Sequence, residues 1–441
     1  MARAAPPARP GTLRTAQPVA KLAHRVPTPP AMPALEGLRI LDLTRVLAGP
    51  WATQALADLG AEVIKVERPG SGDDTRAWGP PFVRDASGQP TSESAYFLCA
   101  NRGKRSVAID LAHPEGQAVV RELALRADVL VENFRVGQLA RYGLDCASLA
   151  AANPRLVYCS ITGFGQTGPN AERAGYDFII QAMSGFMSVT GERDGAPGGG
   201  PQKAGVAIAD LFTGLYSTVA ILAALEQRHR TGRGQAIDMA LYDSMLAALA
   251  NMASNCLVRG TAPGRVGNAH ANIVPYQVFA SADAPLVVAV GNDAQYARLC
   301  EIGGRPELAG DARYATNAER VRHREELVPE LATMIAARPA AWWLAQLEEA
   351  GVPAGPIRSI AEALADPQVA ARGLRLDLPH PLAGTVPLLG LPIRLSDSPP
   401  CYERAPPLLG ADTEAVLRDW LGLDDARLAA LRVAGAIEQR A

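Results

Sequence analysis

Asp210 lies alone between two apolar stretches, in the segment KAGVAIADLFTG (203–214). A carboxylate in such surroundings destabilises the fold unless it is capped, paired or used chemically. As a structural residue it would be the N-cap of the helix LFTGLYSTVAILAALE. As a chemical residue it would lie at a strand-to-helix junction and attack an activated acyl group, because an aspartate with a reference pKa of about 3.9 is an anion at neutral pH. The residues alone favour the cap.

A second carboxylate follows Tyr176 in GYD (175–177), where Asp177 begins the apolar stretch FIIQAMSGF. Capping of that helix is the default interpretation of Asp177. Basic residues form a third group, in the segments ERPGSGDDTR and NRGKRS. They either bind a phosphorylated ligand where parallel strands end, or form a solvated basic surface. The residues concerned are Arg68, Arg76, Arg102, Lys104 and Arg105.

GFGQTG (163–168) matches the glycine pattern of dinucleotide-binding proteins. That interpretation needs a helix at the third glycine, to hold the pyrophosphate at its N-terminus. Pro169 and NAERAG follow instead. The pattern therefore indicates a tight turn, and a nicotinamide oxidoreductase is disfavoured.

Composition excludes several classes of protein. The net charge of −2 over 441 residues gives no field that would recruit nucleic acid or a membrane. We also find no uninterrupted apolar run that we expect to span a bilayer. The six cysteines and six histidines are dispersed, so the sequence predicts neither a disulfide framework nor a metal site. This pattern suits a reducing compartment and predicts a cytoplasmic protein.

Residues 1–35 are basic and rich in alanine and proline, with no acidic residue before Glu36. They are expected to be a disordered segment, or to precede a true start near Met32. The alternative is a leader, which would place the protein in the mitochondrial matrix, although frequent prolines argue against a transit helix.

From Leu38 the chain alternates strand-like and helix-like segments. The strands LRILDL, AEVIKVE, SVAIDL, DVLVENF and LVYCSITGF are separated by helices of a length that gives right-handed crossovers and a mainly parallel sheet. The sequence therefore predicts an α/β fold. We expect a large domain at 36–245, a linker helix with a small domain at 246–370, and a C-terminal segment at 371–441 that returns to the large domain.

Within these regions, YDSMLAALANMASNCLV predicts one long helix and VPYQVFASADAPLVVAV predicts two strands with a turn. The C-terminal part predicts two amphipathic helices.

The segments LEGLRILDLTRVLAGPWATQALADLGAEVIKVERPGSGDDTR, NRGKRSVAIDL, DVLVENF, GYD, AGVAIAD and TGRGQAIDMALYDS occur in an order and spacing that resemble the class III CoA-transferase family. This family includes formyl-CoA transferase, carnitine CoA-transferase and α-methylacyl-CoA racemase. The resemblance covers Leu35 to the C-terminus. RVLAGPWATQ, TRAWGPPF, CSITGFGQTGP and NAHANIVPYQVF are similar to its dicarboxylate branch, which uses succinyl-CoA.

The resemblance implies a Rossmann-like large domain with a parallel sheet, a smaller α+β domain and an interlocked homodimer. It implies that Asp210 attacks an acyl-CoA thioester to give an acyl anhydride and then an aspartyl-CoA thioester, with Tyr176 and Asp177 lining the site. The partners would be acyl-CoA and small carboxylic acids. Coenzyme A would be a substrate, and no permanently bound cofactor is implied.

The family's CoA contacts match eleven positions here, namely Val46, Leu47, Arg68, Ile109, Asp110, Leu111, Ala112, Asn133, Phe134, Arg135 and Arg141. Two departures make oxalate doubtful as an acceptor. Leu47 replaces the glutamine of formyl-CoA transferase, and GNAHANIVP (267–275) replaces its glycine run. His270 and Asn272 are candidate contacts for a longer diacid, although His270 could equally be a packing residue.

Two alternatives within this resemblance are weaker. The racemases have a histidine where this chain has Tyr176, and a tyrosine with a pKa near 10 is a poor base at neutral pH. A CoA-binding protein without turnover would not need both Asp177 and Asp210. The sequence therefore predicts a CoA-transferase.

Overall fold

The computed structural model describes residues 32–439, so the segment 1–35, predicted to be disordered or a leader, lies outside the described residues except for 32–35. The strands are β1 Arg39–Asp42, β2 Glu62–Glu67, β3 Phe82–Arg84, β4 Pro90–Ser94, β5 Lys104–Ile109, β6 Val129–Glu132, β7 Val157–Thr162, β8 Ala236–Ala240, β9 Tyr276–Ala280, β10 Pro285–Ala289, β11 Ala354–Pro356, β12 Arg375–His380, β13 Gly384–Leu389 and β14 Ile437–Glu438.

The helices that cover the main sheet or follow it are α1 Ala48–Asp58, α2 Ala95–Leu98, α3 Pro114–Arg126, α4 Cys146–Ala152, α5 Asp177–Met183, α6 Phe186–Val189, α7 Ile208–Thr231, α8 Leu241–Ala248 and α9 Ala250–Arg259. The remaining helices are α10 Asp293–Ile302, α11 Pro306–Gly310, α12 Asn317–Arg322, α13 Arg324–Ala336, α14 Ala340–Glu349, α15 Ile360–Leu364, α16 Pro367–Ala371, α17 Thr413–Leu421 and α18 Asp425–Val433.

The predicted parallel sheet is confirmed. Its strand order is β14-β5-β2-β1-β6-β7-β8, and every pairing is parallel except that of the C-terminal strand β14 with β5. Helices cover both faces, which explains why the inner strands read as continuous apolar runs. Ile40 points to the face covered by α1, α5, α7 and α8, while Leu41 points to the face covered by α3, α4, α17 and α18.

Beyond the main sheet, β9, β10 and β11 form an antiparallel sheet whose core includes side chains of α10, α13 and α14. The predicted pair of strands in VPYQVFASADAPLVVAV is thus confirmed, as are the two C-terminal helices, α17 and α18. Helix α17 packs on β5 and α3. The boundaries proposed for the domains stay a prediction.

Two expectations are wrong. The predicted long helix after β8 is two helices, α8 and α9, because Ala250 adopts a φ of 44°, outside the helical region. Helix α7 is also long and apolar enough, by length and composition alone, to cross a membrane, contrary to the expectation that no run is. Here α7 packs against α1, α8 and strand β7, as the core helix of a globular protein does.

Candidate functional site

Two adjoining cavities open at the carboxyl ends of the parallel strands, where open α/β sheets bind their ligands. The first has a volume of about 350 Å³. Its lining includes six of the residues predicted to contact CoA, namely Arg68, Ile109, Asp110, Leu111, Ala112 and Phe134. Because these residues follow three different strands, only the assembled sheet brings them together.

The second cavity has a volume of about 280 Å³ and shares Arg45, Phe134 and Gln138 with the first. Its lining brings together predicted residues of both kinds, which are Val46, Asn133, Phe134, Arg135, Tyr176 and Asp210. The structure therefore places the candidate nucleophile beside the candidate CoA contacts. Leu47 and Arg141 line neither cavity, since Leu47 is buried at the start of α1 and Arg141 is exposed.

Asp210 lies in the first turn of α7 rather than at its N-cap, so the capping interpretation is wrong. The helix begins at Ile208, three residues earlier than a cap at Asp210 requires, and Ala207 is its N-cap residue. The side chain of Asp210 makes no capping hydrogen bond, is half-buried and lines the second cavity. Asp210 thus lies in the first turn of α7, but its side chain does not bond to the unpaired backbone amides there.

Asp177 supplies the missing cap from another helix. Its Oδ1 atom accepts hydrogen bonds from the backbone amides of Ala209 at 2.7 Å and Asp210 at 3.4 Å. The expectation that Asp177 caps its own helix is wrong, because it is the first helical residue of α5. A carboxylate at the N-terminus of a helix is favoured by the unpaired amides and the helix dipole. Asp177 therefore fixes the backbone that carries Asp210.

Gln181 holds Asp177 in this orientation. Its Nε2 atom donates to Asp177 Oδ2 at 2.6 Å, and its Oε1 atom accepts from the Ala204 amide at 2.8 Å. The side chain is fully buried, so both hydrogen bonds are shielded from water. The relay connects α5, the approach to α7 and the first turn that carries Asp210.

Burial first, and then the negative charge of Asp177, raises the pKa of Asp210 to about 7. The expectation of a full anion at neutral pH is therefore wrong, since the raised pKa leaves the carboxyl group partly protonated there. An apolar approach to α7 removes water from the anion. A poorly solvated, more basic carboxylate is a stronger nucleophile.

Tyr96 is a site residue that the sequence did not reveal. It lies in the short helix α2, and burial, followed by the charge of Asp210, raises its pKa to about 12. Its ring packs edge-on against Trp78 at 5.2 Å between centroids. No spacing in the sequence connects Tyr96 with Asp210, because the charge of Asp210 acts on Tyr96 only in the folded structure. The tyrosine keeps its proton at working pH and can donate it in a hydrogen bond.

Most of the basic residues singled out in the sequence are neither phosphate ligands nor a solvated surface. Arg76 pairs with Glu67 and Glu93, and Arg102 and Lys104 pair with acidic residues of their own, all in buried positions. Arg105 is also paired, with Glu62 and Asp419. Arg68 differs, since it is exposed and lines the first cavity.

His270 and Asn272 lie away from the two cavities within one chain. His270 Nδ1 accepts from the Asn272 amide at 3.0 Å, and its ring packs on Tyr276 at 5.3 Å between centroids. Asn272 accepts a hydrogen bond from Asn255 in α9 at 2.9 Å and lines a separate cavity of about 520 Å³. The contacts within one chain support packing for His270.

The parallel sheet and the crevice at its strand ends define an α/β protein with a Rossmann-like architecture, in which a carboxylate on a helix lines one of two adjoining cavities. The model of "CoA-transferase family III" matches residues 35–413, and the chain belongs to this family. The tight turn predicted for GFGQTG is confirmed, since Gly165 and Gly168 adopt φ angles of 86° and 90° in a loop and no helix begins at the third glycine.

The relatives cover almost the whole chain. The succinate–glutarate CoA-transferase of Agrobacterium fabrum is 54% identical over 391 residues, which are 89% of this chain and 96% of that protein. The succinyl-CoA:glutarate CoA-transferase of Mus musculus is 47% identical, over 93% of this chain and 91% of that protein. A CaiB/BaiF family protein from Brucella suis has a similar solved structure, with a TM-score of 0.77 and 50% identity, covering 88% of this chain and 100% of that one.

Proposed function

We propose that this CoA-transferase moves CoA from succinyl-CoA to a dicarboxylic acid such as glutarate, with Asp210 as the nucleophile. The observation that carries the proposal is the half-buried Asp210 on the wall of the second cavity, directly beside the cavity lined by Arg68. Support for the substrates comes from the names of relatives that are 54% and 47% identical.

In the first half of the reaction, the Asp210 carboxylate attacks the thioester carbonyl of the donor. The carbon–sulfur bond breaks, CoA leaves as a thiolate, and a mixed anhydride joins the succinyl group to Asp210. The thiolate then attacks the Asp210 carbonyl carbon, which releases succinate and leaves an aspartyl-CoA thioester. Charge is conserved in both steps, and no proton needs to be supplied.

In the second half, the acceptor carboxylate attacks the aspartyl thioester, expels the CoA thiolate and forms a new anhydride. The thiolate attacks the acceptor carbonyl carbon of that anhydride, which gives the new acyl-CoA and frees the Asp210 carboxylate. Every intermediate is susceptible to hydrolysis, so the site must exclude water. The apolar residues that lead to Asp210 suit this requirement.

In this proposal, the donor succinyl-CoA extends through both cavities. The exposed guanidinium of Arg68 is suited to a phosphate group of CoA, since arginine forms two parallel hydrogen bonds with phosphate oxygens. The thioester end would then extend past Val46 into the cavity of Asp210 and Tyr176. Leu47 and Arg141, which line neither cavity, have no part in this arrangement.

The proposal is tested by incubating the protein with succinyl-CoA and a panel of dicarboxylates: glutarate, malate, itaconate, mesaconate and citramalate. Mass spectrometry should detect a new CoA ester with at least one of them, and glutarate is expected to be the best acceptor. The Asp210→Asn variant, which keeps the side-chain size, should form none. Undiminished transfer by Asp210→Asn would refute the role of Asp210.

The racemase alternative is tested in the same preparation. A racemase needs a second base, and the residue at that position, Tyr176, is 63% exposed. Incubation with a 2-methylacyl-CoA in deuterium oxide should therefore leave the α-carbon free of deuterium. Deuterium incorporation without acyl transfer would favour the racemase.

We also propose that the chain is a homodimer. The outer faces of α5, α7 and α9 expose large apolar side chains, among them Phe178 at 55%, Leu215 at 54%, Val219 at 55%, Leu257 at 83% and Val258 at 89% exposure. Large apolar side chains that are exposed in this number are typical of an interface between subunits. Light scattering should give twice the mass of one chain, and a monomer with full transfer activity would contradict the proposal.

A further inference from the structure

The turn formed by Thr44, Arg45 and Val46 separates the two cavities. Thr44 and Arg45 line the first, whereas Arg45 and Val46 line the second. Val46 has a φ of 72°, in the left-handed region that a β-branched residue strongly disfavours. Such a conformation costs about 1–3 kcal/mol and persists where the surrounding structure imposes it.

Three side chains impose this conformation through the backbone of the turn. Lys65 Nζ donates to the Thr44 carbonyl at 2.8 Å. The Val46 amide donates to both carboxylate oxygens of Asp73, at 3.2 and 3.3 Å. The peptide groups of Arg45 are held by the amide of Asn133, which accepts from Arg45 N at 3.0 Å and donates to Arg45 O at 2.7 Å. The turn is therefore held at all three residues.

Lys65 and Asp73 are also joined to each other, with 2.9 Å between Nζ and Oδ2 and no exposed side-chain surface on either residue. Although burial opposes it, the ammonium group of Lys65 and the hydrogen bonds of Thr75 hold the pKa of Asp73 below its usual range. Both groups are therefore charged. Buried ion pairs contribute little net stability compared with apolar residues, so stability alone is a weak reason for this pair.

We propose that Lys65 and Asp73 are positioning residues that hold the Thr44–Val46 turn in the conformation that shapes both cavities, and so set the affinity for the CoA thioester. The pair acts at both ends of the turn, on the Thr44 carbonyl and on the Val46 amide. The inference rests on the proposed function in one respect, that the cavities bind CoA.

The chain offers a matched control in the pair of Asp58 and Arg102. It is equally buried, with 2.5 Å between Arg102 Nη2 and Asp58 Oδ2, and it supplies none of the hydrogen bonds of the turn described above. Asp58→Asn therefore removes a buried carboxylate charge without removing a contact to the turn. Comparison with this variant separates a general loss of stability from a specific loss of positioning.

The first test is amide hydrogen exchange in the protein without ligand, on the variants Asp73→Asn and Lys65→Met. In both variants, a peptide that covers the turn should exchange about tenfold faster, or more, than in wild type. The reason is that each substitution removes one of the hydrogen bonds that hold the turn. Asp58→Asn should leave this peptide unchanged. Equal acceleration in Asp58→Asn, or none in the two test variants, would overturn the proposal.

The second test measures the affinity for CoA by calorimetry, and then the transfer kinetics. Asp73→Asn and Lys65→Met should bind CoA about tenfold more weakly, a loss of about 1.4 kcal/mol, with a raised KM for succinyl-CoA and a kcat within a few-fold of wild type. Asp58→Asn should bind like wild type. Unchanged affinity in the test variants would overturn the proposal even if transfer is intact, whereas a wild-type protein that binds CoA but transfers none would refute the proposed function instead.

Discussion

The crevice has two sides with opposite electrostatics. On the paired side, which comprises Asp42, Lys65, Asp73 and Lys104, buried carboxylates face ammonium groups at 2.9 and 3.0 Å. On the carboxylate side, Asp177 and Asp210 face each other, and among residues 32–439 we find no lysine or arginine in an ion pair with either. The two sides meet at Val46, which bonds to Asp73 and lines the cavity of Asp210.

The same side chain behaves differently on the two sides. Although burial opposes it, Lys104 and Lys65 hold the pKa of Asp42 at about 2, whereas burial and Asp177 raise that of Asp210 to about 7. Desolvation acts on both carboxyls, so the difference lies in the charge of their neighbours. The paired side uses its charges to maintain a shape, and the carboxylate side leaves one charge available for chemistry.

The largest expected effects come from removing one carboxylate charge on the paired side and one on the carboxylate side, since the first should affect stability and the second transfer. Asp42→Asn leaves two lysines short of a buried counter-ion and should destabilise the protein by about 3–5 kcal/mol. Asp210→Asn should reduce transfer by at least about 1,000-fold, since the nucleophile is lost. It should leave stability at pH 8 equal to or above that of wild type. Denaturation at pH 8 and steady-state kinetics measure both.

The sign of the stability effect is set by the two pKa shifts. A raised folded-state pKa means that folding disfavours the Asp210 anion, so stability falls as the pH rises through 7. The lowered pKa of Asp42 means that its contribution is present above the ordinary value of 3.8 and is lost as the pH falls toward 2. If Asp210→Asn were less stable than wild type at pH 8, the proposed contrast between the paired side and the carboxylate side would be refuted.

The next effect concerns the pH dependence of transfer. The donor must meet the Asp210 anion, so kcat/KM for succinyl-CoA should rise with pH through a midpoint near 7. The double variant Asp177→Asn with Gln181→Glu keeps the hydrogen-bond pattern of the relay but moves its charge away from Asp210. Its midpoint should fall by about one pH unit, because one of the two causes is weakened.

Gln181→Glu alone is the control for this experiment. It adds a carboxyl group while Asp177 stays in place, so its midpoint should not move to lower pH. If the double variant has the wild-type midpoint, the charge of Asp177 does not raise the pKa of Asp210, and the two carboxylates do not repel each other measurably.

The sequence could predict those features of the two sides that depend on neighbouring residues in the chain, and not those that depend on contacts between distant residues. Strands such as β2 and β6 follow from continuous apolar runs, and the order of the family's segments led to Asp210 and Asp177. The capping roles were not accessible, because the amides that Asp177 binds belong to a helix 32 residues further along the chain. A cap supplied across tertiary structure leaves no pattern around either residue.

The charge states and partners of the buried ionisable residues could not be predicted from the sequence for the same reason. Arg76, Arg102 and Lys104 read as exposed basic residues because their segments are polar, yet their acidic partners lie on neighbouring elements and bury them. The pKa of Asp210 depends on the removal of water by the assembled fold. Sequence patterns report the elements, whereas burial and pairing arise only when those elements pack.

The smallest effect is expected at Tyr96, whose pKa is raised by carboxylates of both sides. Burial first, then Asp210, and to a lesser extent Asp177 and Asp73, raise its pKa. Its neutral hydroxyl can donate a hydrogen bond to charge that develops on the Asp210 side. Tyr96→Phe should therefore lower kcat by about three- to tenfold, the value of one hydrogen bond, with little change in CoA affinity.

Tyr158→Phe is the matched control, because the Tyr158 hydroxyl is buried and donates to the Leu144 carbonyl at 3.0 Å, within the core. It should lower stability without changing kcat. If Tyr96→Phe behaves in the same way, Tyr96 only packs against Trp78. A fall in kcat confined to Tyr96→Phe instead means that the chemistry at Asp210 uses the Tyr96 hydroxyl as a hydrogen-bond donor.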